Sequence, residues 1–228
     1  MKLKIITIII FISLLAYSVP ANAEDINISL TWQTSTLVPK NYQGRSLPIR
    51  GSVISVFAFP AKYNSGSLIF DWYLDKTYMK YSSGLGKDIF SFTATEWPGY
   101  EHDIKVKISN SQDTVSGYAS ISIEVQKPEI YVFKGHEHDN EYIANPGSSN
   151  TFSAQAYFFN ISNLDSLTYK WYINNEQIKN TGALSNPERF TLDIASGSRS
   201  SKYKISSVAQ NKHNLIEKAV QEFKVIVK

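Results

Sequence analysis

His136-Glu137-His138-Asp139 is a run that gathers metal-ligand side chains. On an extended segment alternate side chains share a face, so His136 and His138 could chelate one Zn²⁺ through ring nitrogens. The same polar, turn-rich run also reads as a solvated loop. Glu101-His102-Asp103 has the residue types of an acid–base trio. Neighbours on a strand point to opposite faces, however, so these three do not converge. Gly84-Leu85-Gly86-Lys87 is too short to cradle a phosphate and reads as a loop between strands. No G-x-S-x-G elbow and no P-loop is present. Asp71, Asp75 and Asp113 lack the D-x-D-x-D spacing of a calcium loop. Paired carboxylates for glycoside hydrolysis need only converge in space, and nothing here singles out a pair. Two aromatic residues remain as candidates for ligand binding. Trp97, beside Pro98, and Trp32 could each offer a flat platform to a glycan or a protein partner, or could pack as a lid on the core.

Composition narrows the classes further. The chain has 228 residues, 43% hydrophobic and 19% charged, with formal charge +3 and no cysteine. Without cysteine there is no disulfide framework, thiolate metal site or cysteine nucleophile. Four tryptophans, 14 tyrosines and 12 phenylalanines are too many for a disordered chain. Only Arg45, Arg50, Arg189 and Arg199 are arginines, and the lysines are dispersed along the chain, so nucleic acid is not an expected partner.

The first 23 residues have the layout of a secretory signal peptide. Lys2 and Lys4 supply the positive start, Ile5 to Tyr17 the apolar run, and Ala21-Asn22-Ala23 an A-x-A cleavage site. The apolar run breaks near Pro20 and is short for a permanent span, which needs ~20 apolar residues. The mature protein is therefore expected to begin at Glu24, outside the cytoplasm and without a stable membrane span; retention of the segment as an anchor is the alternative.

The remainder reads as a twofold repeat. Leu68-Ile69-Phe70-Asp71-Trp72-Tyr73-Leu74-Asp75 returns as Leu167-Thr168-Tyr169-Lys170-Trp171-Tyr172-Ile173-Asn174. Gly84 matches Gly182, Phe90 matches Phe190, Val106 matches Ile205, Ile123 matches Phe223, and Val56-Phe57-Ala58-Phe59 matches Ala156-Tyr157-Phe158-Phe159. The seam falls at Lys127-Pro128, which divides the chain into 1–23, 24–127 and 128–228.

Within each copy the apolar period is two, as in Ile104-Lys105-Val106-Lys107-Ile108, and that is the period of a half-buried strand. The pattern predicts strands at 26–33, 51–59, 68–74, 88–94, 102–109 and 118–127, then at 129–134, 150–159, 167–173, 188–194, 201–208 and 218–227. Short strands at this spacing, with no sequence for crossover helices, specify an all-β chain of two immunoglobulin-like sandwiches. In such a sandwich a tryptophan on the third strand fills the gap between sheets. Trp72 and Trp171 stand there, with Val106 and Ile205 as the side chains that occupy the space of the missing disulfide.

Phe70-Asp71-Trp72-Tyr73-Leu74, followed by Pro98-Gly99-Tyr100-Glu101-His102-Asp103-Ile104-Lys105-Val106-Lys107-Ile108-Ser109-Asn110, resembles the tandem Ig-like or PKD-like modules of bacterial exported and surface proteins. Asp75-Lys76 replaces the Gly-Asp-Gly turn of the PKD pattern, and the second copy lacks the Pro-Gly. The resemblance covers nearly all of the chain after residue 23 and bears on the fold; export, tandem sandwiches and the missing catalytic motifs together lead to the expectation of a non-catalytic, cofactor-free protein of adhesion, envelope assembly or protein–protein interaction. The expected partners are extracellular or envelope proteins, with glycans, bound through exposed aromatics such as Trp97 and Trp32, as the alternative.

Overall fold

The computed structural model describes residues 24–178 and 186–228. The signal-peptide assignment and the Gly84–Gly182 match fall on residues outside these. The described chain is built of strands, with two single 3-10 turns at Ser65–Ser67 and Leu164–Ser166. In order these are β1 (Glu24–Asp25), β2 (Ile28–Thr34), β3 (Val53–Pro60), β4 (Ile69–Leu74), β5 (Thr77–Tyr78), β6 (Gly84–Leu85), β7 (Ile89–Thr93), β8 (Glu101–Ser109) and β9 (Val115–Glu124) in the first copy. The second copy has β10 (Glu129–Phe133), β11 (Glu141–Ala144), β12 (Ser149–Tyr157), β13 (Leu167–Ile173), β14 (Glu176–Gln177), β15 (Arg189–Asp193), β16 (Ser201–Asn211) and β17 (Lys218–Val227). No helix among the described residues is long and apolar enough to cross a membrane.

Each copy pairs a three-stranded sheet with a larger one. The first sets β2-β3-β7 against β1-β9-β8-β4-β5, with β6 also on β4; the second sets β10-β12-β15 against β11-β17-β16-β13-β14. Alternate side chains from both sheets of a copy enter one apolar layer. Val56, Phe70, Trp72, Phe90, Ile104 and Val106 belong to the first layer, and Phe152, Trp171, Phe190, Ile205, Phe223 and Val225 to the second. These are two tandem immunoglobulin-like sandwiches.

The two indoles are set identically. Trp72 stacks on Phe90 at 5.6 Å and 28°, and Trp171 on Phe190 at 5.3 Å and 28°. Trp72 Nε1–H donates to the Lys87 carbonyl (2.8 Å) and Trp171 Nε1–H to the Pro187 carbonyl (3.2 Å), so neither buried donor is left unpaired. Three residues further along, both copies turn back through consecutive positive φ angles, 49° and 69° at Asp75-Lys76, 48° and 72° at Asn174-Asn175. This is the left-handed pair of a type I′ hairpin, which Asp and Asn tolerate. Each turn is locked by its first side chain: Asp75 Oδ1 accepts from the Asp103 amide and Asn174 Oδ1 from the Lys204 amide, both at 2.9 Å.

The structure corrects several details of the sequence reading. β9 begins at Val115 rather than 118 and ends at Glu124. Gly84–Leu85, read as a loop, pairs antiparallel with Ile69–Phe70. Four further strands lie outside the predicted ranges: the two-residue β5 and β14, which pair back on β4 and β13, and β1 and β11, which add in parallel to β9 and β17. β11 is short, carries charge and sits at an edge, so its alternation is hard to see in four residues. The residue matches also shift. Trp72 lies opposite Val106, whereas Trp171 lies opposite Ser207, so Ile205 is equivalent to Ile104 rather than to Val106. Likewise Val56 faces Phe90 and Phe152 faces Phe190, which makes Phe152, not Ala156, the partner of Val56. Both displacements are even numbers of residues. A strand slipped by two keeps its apolar face inward, so the hydrophobic pattern does not resist that error.

The corrected register isolates one position. Ser207 is fully buried opposite Trp171, and its hydroxyl has no hydrogen-bond partner among the described residues. Removing that hydroxyl removes a desolvated polar group and little volume. Ser207→Ala is therefore expected to raise the urea midpoint of the second sandwich, by about 1 kcal/mol in stability; a fall of that size would show that the hydroxyl is satisfied.

Candidate functional site

The features that break the repeat lie together, at the junction of the copies. After β2 the first copy makes a twelve-residue excursion, 36–47, before β3. The loop is closed on itself, with Thr36 Oγ1–H donating to the Leu47 carbonyl and Ser46 Oγ–H to the Thr36 carbonyl, each at 2.7 Å. Such a closed surface loop is a compact unit that can carry a contact. Leu37 exchanges two backbone hydrogen bonds with the second sandwich, Leu37 N–H to Phe159 O and Phe158 N–H to Leu37 O, both 2.7 Å. Phe158 holds φ of +61° there, an unfavourable backbone for a bulky residue, kept in place by burial of its ring and by the two bonds to Leu37.

A second tie uses a buried carboxylate. Glu217 is 5% exposed. It accepts from the Asn160 amide N–H through Oε1 and from Asn211 Nδ2–H through Oε2 (2.9 Å). Asn160 in turn donates its own Nδ2–H to the Gly51 carbonyl of the first sandwich (2.9 Å). Gly51, at φ +91°, belongs to a turn that both copies use: Ser52 Oγ–H caps the Ile49 carbonyl in one, Ser148 Oγ–H the Asn145 carbonyl in the other, with Gly147 at φ +77°. Pro146 of the second turn corresponds to Arg50 of the first, so the turn itself does not need the arginine.

Arg50 is instead laid over Trp97, 4.1 Å from the guanidinium carbon to the ring centroid, and its Nε–H donates to the Thr95 carbonyl (2.8 Å). That contact is a cation–π pair. Trp97 remains 60% exposed. Together with Lys127, Pro128, Ile216 and Lys218 these two residues line a cleft of about 320 Å³ between the sandwiches, a size and a location usual for ligand sites. The cleft is cationic on its rim, because its single carboxylate, Glu217, has both oxygens engaged. The equivalent turn of the second copy, Ala195–Ser200, has no tryptophan.

The other candidates lie elsewhere. Trp32 is half-buried against the first core, and Arg45 covers its ring at 4.6 Å. Val106 and Ile205 are buried, each in the core of its own sandwich. His136 and His138 are exposed after β10. His138 Nδ1–H donates to the Val132 carbonyl (2.9 Å), and its ring packs on Tyr131 and Phe133. Among the described residues no group of three His, Asp or Glu side chains comes together. The His102 of the supposed trio turns inward, away from Glu101 and Asp103. Its Nδ1–H donates to Asp75 Oδ2 at 2.9 Å, and its Nε2 is buried without a partner among the described residues, between Phe92 and Tyr100. The charge of Asp75, with burial, pushes the Tyr100 phenol up. This histidine is sealed from solvent on β8, and its hydrogen bond ties it to the β4–β5 turn through Asp75.

The class defined by these sheets is that of tandem immunoglobulin-like domains with a cleft at the joint. No family model matches the chain, and no curated protein matches it. Among solved structures it is similar to three N-terminal domains of the Highly Immunogenic Outer Capsid protein (Hoc) of bacteriophage RB49, at 11% identity and TM-score 0.46, over 89% of this chain. The match takes in 59% of that phage chain, so the protein spans only part of it. It is also similar to the fibronectin(III)-like modules of CbhA from Clostridium thermocellum, at 15% identity and TM-score 0.31, over 88% of this chain and 94% of that one. A third is SGBP-B of the Bacteroides ovatus mixed-linkage glucan utilization locus, solved with a mixed-linkage heptasaccharide, at 14% identity and TM-score 0.26, over 86% and 47%. At this level of similarity none of the three carries an argument about ligand or partner.

Proposed function

We infer that the protein is a non-catalytic, exported interaction module of the PKD-like kind, with domains 24–127 and 128–228, that works in the envelope or outside the cell by docking a protein partner at the cleft between them. The observation that carries this reading is Trp97: a large aromatic side chain, mostly exposed, braced by Arg50 in a concave junction. Aromatic and arginine side chains in such settings supply a large share of binding energy in protein interfaces. The exported location rests on the layout of residues 1–23.

The test is a binding measurement with wild type and Trp97→Ala, using partners captured from the cell surface by the full chain. Loss of the indole is expected to cost about 2 kcal/mol, roughly 30-fold in Kd. Partners that bind both proteins equally would exclude the cleft. A glycan reading is favoured by the free face of the same indole, and a glycan array distinguishes it: sugars retained by wild type and lost by Trp97→Ala would replace the protein partner with a carbohydrate.

A further inference from the structure

The excursion that joins the two copies also walls a second cavity, chemically unlike the first. It has a volume of about 380 Å³ and is lined by Tyr42 and Leu47 of the excursion and by aromatic side chains of β10 and β12. The rings do not form one stacked column. Tyr42 meets Tyr157 at 5.6 Å and 76°, and meets Phe158 at 5.8 Å and 76°; Tyr131 meets Tyr157 at 5.2 Å and 86°. Rings held nearly at right angles present walls in different directions, which is the geometry of a box rather than of a platform.

Charge completes the description. Among the described residues lining the cavity, Glu129 is the one charged side chain, with no lysine or arginine beside it. Tyr131 Oη–H donates to Glu129 Oε2 at 2.7 Å, which aims the carboxylate and leaves Oε1 without a partner among the described residues. That hydrogen bond, aided by burial, pushes the Tyr131 phenol up to about 12, so at neutral pH it remains a donor and adds no second negative charge. Aromatic faces carry a negative quadrupole and attract weakly hydrated cations, and a nearby carboxylate strengthens the attraction. An anionic ligand would be repelled by Glu129, and a strongly hydrated metal ion would find only one carboxylate.

The geometry points to a binding site for a small alkylated ammonium group, of the choline type, held by Tyr42, Tyr131 and Tyr157 with Glu129 as counter-charge. Both copies supply walls, so an occupied site would hold the excursion against the second sandwich. The site is separate from the Trp97 cleft, and the inference stands whether or not a partner docks there.

Titration calorimetry of the full chain with choline, and with 3,3-dimethyl-1-butanol as the uncharged analogue of the same shape, tests it. Saturable choline binding is expected, with the alcohol at least tenfold weaker. Glu129→Gln, which keeps the shape and removes the charge, is expected to weaken choline at least tenfold while leaving the thermal midpoint in place. Ring-proton shifts on choline addition should concentrate at Tyr42, Tyr131 and Tyr157. Phosphatidylcholine vesicles distinguish the source: cosedimentation would support a lipid headgroup, and choline binding without it a soluble ligand. Equal affinity for choline and the alcohol, no saturation by choline of folded wild type, full affinity in Glu129→Gln, or shifts confined to other residues would each overturn the proposal.

Discussion

Trp72→Ala is expected to remove about 3–5 kcal/mol from the first sandwich, and Trp171→Ala as much from the second. Each indole is at most 1% exposed and lies between the two sheets of its copy. Truncation leaves a cavity, unstacks Phe90 or Phe190, and frees the Lys87 or Pro187 carbonyl from its donor. Domains of this size are stable by only about 5–15 kcal/mol, so the loss is a large part of the whole. Because each layer is closed within its own copy, the damage should stay local. Urea melts followed by tryptophan fluorescence are expected to split into two transitions: Trp171 reports an almost unchanged second sandwich in Trp72→Ala, and Trp72 an unchanged first in Trp171→Ala. A loss below about 1 kcal/mol in either variant is incompatible with a core tryptophan. A single transition shifted as a whole would mean that the copies unfold as one unit.

The second large effect concerns the joint. Glu217→Ala removes the acceptor of two donors, the Asn160 amide and Asn211 Nδ2–H. Hydrogen bonds to a charged acceptor contribute about 1.5–3 kcal/mol each, and Asn160 is only half-buried, so a loss of about 2–4 kcal/mol is expected. The geometry specifies where it appears. Asn160 also donates to Gly51 across the joint, so its release should loosen one sandwich from the other before either unfolds. Small-angle scattering at ambient temperature is expected to show a broadened distance distribution for Glu217→Ala. Glu217→Gln should lie between, because a carboxamide offers one acceptor oxygen where two donors wait. Unchanged scattering with a lowered melting midpoint would make Glu217 a residue of the second sandwich alone.

Much of this architecture can be read from residue order, and the reasons are local. Ile104 to Ile108 alternates because one face of β8 is in the core and the other in water. The two tryptophans stand out because their surroundings repeat in type as well as in position. The shared Gly51-Ser52 and Gly147-Ser148 turns carried a similar signal, one small residue pair leading into β3 and β12, which the hydrophobic pattern alone does not reveal. Register was the weaker part. Pairing Val106 with Ile205 leaves every apolar residue facing inward, and only the hydrogen-bond ladder shows that Ser207 lies opposite Trp171.

The sites were legible only in part. Trp97 is conspicuous as an unrepeated aromatic residue, but nothing in the sequence indicates that Arg50, 47 positions earlier, lies over it. Glu129 and Tyr131 are ordinary strand residues until Tyr42 is folded against their sheet. The residue order by itself determined the strand period, the twofold repeat and the two core indoles, because each depends on neighbours a few positions apart. The tertiary structure alone decided which long-range partners meet: His102 with Asp75, Glu217 with Asn160, Arg50 with Trp97. Those contacts depend on how sheets and copies approach one another, and hydrophobic alternation is the same for every approach that keeps the apolar faces inside.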